Sequence, residues 1–167
     1  IALRLADDDT EAKDLNQARY LLAVAYFFLD DREYDAAVIG EFIARRYKDA
    51  TPDVALDAAY LSMTAYIEAF NANRDPAAAP EAEAAELRPV IEMAELITTT
   101  WPKRPKADDA RMRLGEFYNR LNQFEKAAKY FQEVDNSSDQ YLDAQLKAGQ
   151  AYWNAYVAAA PSDAAAV

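Results

Sequence analysis

The chain has 167 residues, enough for one domain with a substantial core, and 52% of them are apolar. It contains no cysteine, which excludes disulfides, cysteine-bound zinc and a thiol nucleophile, and no histidine, the commonest general base. The net charge of −11 disfavours nucleic acid and anionic lipid as partners. Two interpretations of this charge stay open, a basic or mixed-charge protein partner and solubility alone.

The composition predicts a helical protein. Alanine, leucine, glutamate, lysine and arginine are abundant and only three glycines occur, a balance that favours α-helix. No apolar run reaches the ~18 residues that a membrane-spanning helix needs, so we expect no direct membrane insertion. The N-terminal segment lacks the pattern of a signal peptide, and residues 2–7 resemble the last turn of a helix whose beginning is missing.

The first half of the chain contains two related helix pairs. The first helices match with a shift of 40 residues, and the second helices match with a shift of 54. The difference predicts an insertion loop near 70–87, where residues 71–80 have the composition of a loop. An extra helical turn over residues 81–87 stays open. We expect Pro89 near the start of the following helix, where its missing N–H costs nothing.

The second half predicts three further helices with short connections. Apolar spacing indicates helices over 109–119, 125–134 and about 140–158. Asn122 and Gln123 form the first connecting turn, and residues 136–139 form a turn that caps the last helix.

Two residues of this half recur 34 residues later, which is the period of the tetratricopeptide repeat. Gly115 recurs as Gly149, and Tyr118 recurs as Tyr152. The series Leu114, Gly115, Tyr118, Ala127 and Phe131 resembles the signature of that family. The resemblance implies an all-α, right-handed superhelix of three to four stacked antiparallel helix hairpins. We therefore expect one solenoid domain over 1–167, forming a segment of a longer array, with a capping role for the last helix as the alternative.

Two charged segments indicate which branch of the family the chain resembles. Residues 45–49 read Arg-Arg-Tyr-Lys-Asp at the end of one helix, and residues 105–111 read Pro-Lys-Ala-Asp-Asp-Ala-Arg at the start of another. Both are similar to bacterial envelope members of the family, such as the lipoprotein of the β-barrel assembly machine and the Tol–Pal coordinators. This implies a periplasmic or envelope-associated scaffold, although the cytoplasm stays open and no lipid-anchor cysteine is present.

In this family the first helices line a concave face that binds a peptide or protein. The residues that the resemblance places on this face are Tyr20, Val24, Phe27, Tyr60, Thr64, Ile67, Met112, Glu116, Asn119, Leu146, Gln150 and Trp153. The alternative for the aromatic members is a place in the core between repeats. The Lys and Asn clamp that many relatives use for a C-terminal carboxylate is absent from the matching positions.

The residue types present argue against catalysis. The acidic runs Asp7–Asp9 and Asp108–Asp109 lack the spacing of a calcium loop, and we expect them to stabilise helix N-termini instead. No histidine can activate a serine, and no glycine-rich loop is available for phosphate. We expect no enzyme activity, no metal and no cofactor.

The leading hypothesis is a protein–protein interaction scaffold, with cell-envelope assembly as the process that the resemblance implies. Its partner would be a protein or peptide and not nucleic acid. A structural alternative is a spacer or oligomerisation segment of a larger multidomain protein with no groove ligand, self-associating around Trp153 and Tyr156. A third is a recognition domain attached to an enzyme elsewhere in the same gene.

Overall fold

The computed structural model describes residues 10–29, 31–75 and 80–159. Within these ranges 81% of the residues are helical and no strand occurs, which confirms the all-α prediction. The helices, in chain order, are α1 (Ala12–Phe27), α2 (Glu33–Tyr47), α3 (Pro52–Asn73), α4 (Pro80–Thr100), α5 (Pro105–Arg120), α6 (Phe124–Gln132) and α7 (Tyr141–Ala159).

The chain divides into two compact units. Unit 1 is Ile1–Pro102 and contains α1 to α4, and unit 2 is Lys103–Val167 and contains α5 to α7. In each unit every helix packs against the next one along the chain, and in unit 1 α1 also contacts α3. Helices that are neighbours in the sequence are thus also neighbours in space within each unit.

The centre of unit 1 is built largely from small side chains. Ala36 and Ala37 of α2 and Ala58 and Ala59 of α3 are completely buried. A Cβ atom on Gly40 would lie 2.6 Å from the carbonyl oxygen of Ala58. The two helices therefore approach so closely that only glycine fits at this point of contact.

Two side-chain hydrogen bonds between residues distant in the sequence add specificity to this core. The amide of the buried Asn16 donates from Nδ2 to Oγ1 of Thr51 over 3.2 Å. The hydroxyl of Tyr66 donates to Oε2 of Glu41 over 2.7 Å. Burial raises the pKa of Tyr66, and the hydrogen bond to the Glu41 carboxylate raises it further.

The region predicted as an insertion loop is mostly helical. Helix α3 continues through Asn73 and α4 already begins at Pro80, so Arg74 and Asp75 are the non-helical residues described here. Residues 76–79 lie outside the described ranges. The alanines of this region favour helix, and Leu87 is completely buried, so tertiary packing also supports the extension.

The expected position of Pro89 was wrong. This residue lies inside α4, well past its first turn, where its ring removes a backbone donor that an interior helical position needs. Val90 and Met93 beside it are completely buried. Burial of this face keeps the helix continuous through the proline.

Unit 2 follows the sequence prediction closely. The turn between α5 and α6 contains Asn122 at a φ of 57°, a left-handed conformation that asparagine tolerates. A Cβ atom on Gly115 would lie 2.4 to 2.6 Å from the Phe131 ring. Gly115 is therefore glycine because an aromatic ring of α6 occupies the space of its side chain.

The acidic pair at the start of α5 has a structural role that differs in detail from the prediction. Asp108 lies in the first turn of α5, but its Oδ1 accepts hydrogen bonds from the Asp135 backbone N–H at 3.1 Å and from Arg111 at 2.6 Å. The neighbouring Asp109 accepts a hydrogen bond from the Gln140 amide. Both carboxylates thus tie α5 to the connection between α6 and α7. Residues 2–9, with Asp7–Asp9, lie outside the described ranges.

Candidate functional site

The residues predicted to bind a partner fall into two groups, six in each unit. On α1, α3, α5 and α7 the three predicted residues follow the spacing i, i+4, i+7, which places them on one face of their helix. The two units are separate compact bodies, and each contains one of the two groups.

In unit 1 the predicted residues form the α1–α3 face. It comprises Tyr20, Val24, Phe27, Tyr60, Thr64 and Ile67, and every one of these side chains is half-buried. Helices α1 and α3 are in contact, so the two sets lie on neighbouring helices. Half-buried aromatic and aliphatic side chains are held in place by the core yet keep an accessible edge, which suits anchoring positions.

Negative charge is concentrated in the unit that carries this face. Residues 1–102 contain 20 acidic and nine basic side chains, whereas residues 103–167 contain nine of each. The whole net charge of −11 therefore resides in unit 1. On α3, Asp57 precedes Tyr60 by one helical turn and Glu68 follows Thr64 by one turn, so acidic groups border the apolar residues.

In unit 2 three predicted residues meet around a polar pocket of about 200 Å³. It is lined by Glu116, Asn119, Phe131, Lys147, Gln150 and Asn154. Lys147 donates to Glu116 over 2.8 Å and pairs with Asp143 at 3.1 Å. The hydrogen bond to Glu116 is the main cause that raises the pKa of Lys147.

One acceptor in this pocket has no partner. The Oδ1 atom of Asn119 is buried and makes no hydrogen bond to any described residue. An unsatisfied buried amide oxygen is costly, so the position favours an N–H or O–H donor from a ligand or from water. Sequence reasoning identified Asn119 but missed Lys147 and Asn154, which the helix packing brings to the same place.

The other predicted residues of unit 2 differ in exposure. Met112 is only 5% exposed and contributes to the interior of unit 2, so it offers little surface to a partner. Leu146 and Trp153 on α7 are 61% and 64% exposed. Together with Leu142, Gly149 and Tyr156 they form a solvent-facing line along the helix, which we call the α7 stripe.

Within residues 10–29, 31–75 and 80–159, no group of three or more carboxylate, cysteine or histidine side chains is placed to hold a metal ion. Among the described helices, none is both long enough and apolar enough to cross a membrane.

Comparison with known proteins adds no family assignment. No protein-family model, curated protein or solved structure matches the chain. The tetratricopeptide resemblance therefore stays a prediction, carried by the residues that form the 34-residue repeat.

Proposed function

We propose that the protein is a protein–protein interaction scaffold whose α1–α3 face binds a segment carrying both apolar and basic side chains. The observation that carries this proposal is the face itself: six half-buried apolar, aromatic and threonine side chains in the unit that holds all of the net charge. A surface of this kind supplies anchoring contacts and attracts cations at the same time.

Each part of the face has a distinct task in this proposal. Phe27, Tyr60 and Ile67 receive the apolar side chains of the partner, because their accessible edges are already ordered by the core. Asp57 and Glu68 attract lysine or arginine from solution and set the register of the segment. An extended peptide or a short amphipathic helix satisfies both requirements.

The proposed context is the one that the family resemblance implies. The helix hairpins would stack into a right-handed superhelix, the α1–α3 face would be part of its concave side, and the scaffold would serve cell-envelope assembly. Helical pairs with short connections support this proposal, as does the 34-residue recurrence of Gly115 and Tyr118.

A defined peptide pair tests the proposal. Fluorescence anisotropy would measure binding of a labelled peptide of alternating leucine and lysine, and of a second peptide in which glutamate replaces lysine. We expect the basic peptide to bind and the acidic one to fail. The double variant Tyr60→Glu, Ile67→Glu should weaken binding at least about tenfold, a loss of ~1.4 kcal/mol, while circular dichroism stays helical.

The matched control is Leu21→Glu, Val38→Glu. These side chains are also apolar, belong to unit 1 and are 57% and 58% exposed, so the control adds the same two charges outside the α1–α3 face. Added negative charge strengthens non-specific attraction of a basic peptide in both variants. Loss of peptide binding in the Tyr60→Glu, Ile67→Glu variant together with retained binding in the control is therefore expected only if the α1–α3 face binds the peptide specifically. Equal binding by both variants, or no binding by the wild type, would overturn the proposal.

The structural alternative is favoured by a different observation. The α7 stripe exposes large apolar side chains in unit 2, as an oligomerisation segment would. A crosslinked pull-down from native lysate would compare the wild type with the Tyr60→Glu, Ile67→Glu variant. A protein recovered only with the wild type would be the partner of the α1–α3 face. Recovery of the same proteins with both would favour the structural alternative.

A further inference from the structure

The polar pocket of unit 2 is a feature that the proposed binding face in unit 1 does not use. Its polar lining comes from two helices: Glu116 and Asn119 belong to α5, and Lys147, Gln150 and Asn154 belong to α7. The three residues of α7 follow the spacing i, i+3, i+7, which places them on one face of that helix. The volume of about 200 Å³ lies below the ~300–1,000 Å³ of pockets for drug-sized ligands, so the space suits one small polar group.

Asn119 supplies an acceptor that the described residues leave without a donor. Its Oδ1 atom is buried and makes no hydrogen bond within the described ranges. The side chain as a whole is only half-buried and the last torsion of asparagine is soft, so a small rotation presents the oxygen to the pocket. An N–H group of a ligand bound there would remove the cost of an unpaired buried acceptor.

Lys147 supplies a donor on the α7 side of the same pocket. An ammonium group carries three N–H donors. Within the described part of the chain, one is directed to Glu116 at 2.8 Å and a second to Asp143 at 3.1 Å. The third can therefore donate to a carbonyl oxygen of a ligand. The amides of Gln150 and Asn154 each add a further donor and acceptor to the lining.

The charges around the pocket select against a charged ligand. Glu116 accepts from Lys147 through Oε1 and from Arg113 through Oε2, and Asp143 pairs with Lys147, so two acidic and two basic groups cancel. An anion would compete with the two carboxylates for Lys147, and a cation would face the Lys147 ammonium. Either ion would also lose hydration on entering the pocket. A neutral group avoids these costs.

We propose that this pocket binds an uncharged carboxamide, the group that ends glutamine and asparagine side chains. The N–H of the carboxamide donates to Oδ1 of Asn119 and its C=O accepts from Nζ of Lys147, so one ligand pairs both groups. The carboxamide comes either from a free small molecule or from a side chain of a partner polypeptide. This site lies in unit 2 and is independent of the α1–α3 face.

Three probes of the same shape test the choice of a neutral ligand: propionamide, the anion propionate and the cation propionamidine. Each would be titrated into the isotope-labelled whole chain up to about 50 mM, several times the expected Kd, while NMR follows the amides of α5 and α7. We expect propionamide to bind with a Kd on the order of 1–10 mM, as suits so small a ligand, and both ions at least tenfold more weakly. No saturable shift with propionamide, or equal binding of either ion, would overturn the proposal.

Asn119→Leu tests the acceptor. Leucine is similar in size and has no hydrogen-bonding atom in its side chain, so propionamide binding should fall at least tenfold. Because the replaced oxygen is unpaired, the unfolding temperature should stay the same or rise, whereas loss of a structural hydrogen bond would lower it. Gln145→Leu is the matched control, an amide of α7 outside the polar pocket, and should leave binding unchanged. Retained propionamide binding in Asn119→Leu, or a lower unfolding temperature, would contradict the assignment.

Two glutamine derivatives identify the source of the carboxamide. Free L-glutamine represents a small molecule, and N-acetylglutamine methylamide, capped at both ends, represents a side chain in a polypeptide. The one that binds more tightly gives the source, and binding of neither would overturn the proposal. Asn119→Leu should keep the peptide of the α1–α3 face, and the Tyr60→Glu, Ile67→Glu variant should keep propionamide, so failure of this inference and failure of the proposed function are distinguishable.

Discussion

At the scale of single residues, Gly115 and Gly149 show how one repeated residue can have two different environments. They occupy the same place in the 34-residue repeat. A Cβ on Gly115 would collide with the ring of Phe131, which is 3% exposed. A Cβ on Gly149 would meet nothing within 4 Å. The requirement for glycine is therefore steric at one position and absent within the described part of the chain at the other.

Alanine at each glycine should have effects of opposite sign. Gly115→Ala should lower the free energy of unfolding of unit 2 by about 1–3 kcal/mol, because the overlap with Phe131 exceeds the gain in helix propensity. Gly149→Ala should raise it by about 0.5–1 kcal/mol, since only propensity changes. Native-state hydrogen exchange of the α5 to α7 amides, at a concentration that keeps the chain monomeric, measures both. A stabilising Gly115→Ala would contradict the contact with Phe131.

At the scale of secondary structure, α4 shows that buried contacts override local propensity. Proline inside a helix costs about 3 kcal/mol through a lost hydrogen bond and a steric clash. Leu87, Val90, Met93, Ala94 and Ile97 are nevertheless completely buried along the same helix. Burial of several large side chains at about 1.5–3 kcal/mol each exceeds the cost of one proline.

Replacing this proline should therefore stabilise the protein. Pro89→Ala restores the missing N–H without removing a large buried side chain, and we expect the free energy of unfolding of unit 1 to rise by about 1–3 kcal/mol. Pro52→Ala is the control, because Pro52 lies at the start of α3, where the N–H has no helical partner. Thermal denaturation and exchange of the α4 amides would measure the difference. An equal response of the two variants would mean that Pro89 imposes no strain on α4.

At the scale of the whole molecule, the division of charge is the main asymmetry between the two units. Unit 1 carries the entire net charge of −11. Its ion pairs Arg45–Glu41 and Arg74–Glu83 are partly exposed to water, so they do little to offset the repulsion between its acidic groups. Unit 2 is balanced. Self-repulsion opposes compaction in the first unit, whereas attraction and repulsion nearly cancel in the second.

Salt should consequently stabilise the two units unequally. Raising the ionic strength from about 0.01 M to about 0.15 M shortens the Debye length from about 30 Å to about 8 Å, which screens the repulsion in unit 1. We expect the exchange protection of amides in α1 to α4 to increase, while protection in α5 to α7 changes little or falls as its ion pairs weaken. Because both units are in one molecule, unit 2 is the internal control. A uniform response along the chain would contradict the electrostatic division.

Much of the local structure could be predicted because it depends on neighbouring residues in the chain. Apolar spacing indicated the second-half helices to within about four residues at each end, and the left-handed Asn122 lies in the turn predicted for it. Six of the proposed binding residues also lie on the predicted helix faces of α1 and α3 and remain accessible. Their ability to bind a partner is a proposal that the peptide experiment decides.

The sequence by itself determined the helical class, the spacing of the repeat and the concentration of negative charge in residues 1–102. It also excluded sites that require cysteine or histidine. Tertiary structure decided which members of the repeat are buried. Tyr118 is 7% exposed and its counterpart Tyr152 is 46% exposed, and Met112 is 5% exposed whereas its counterpart Leu146 is 61% exposed. Equivalent residues differ in this way because burial depends on the neighbouring helices that pack over a face, and periodicity within one helix carries no information about them.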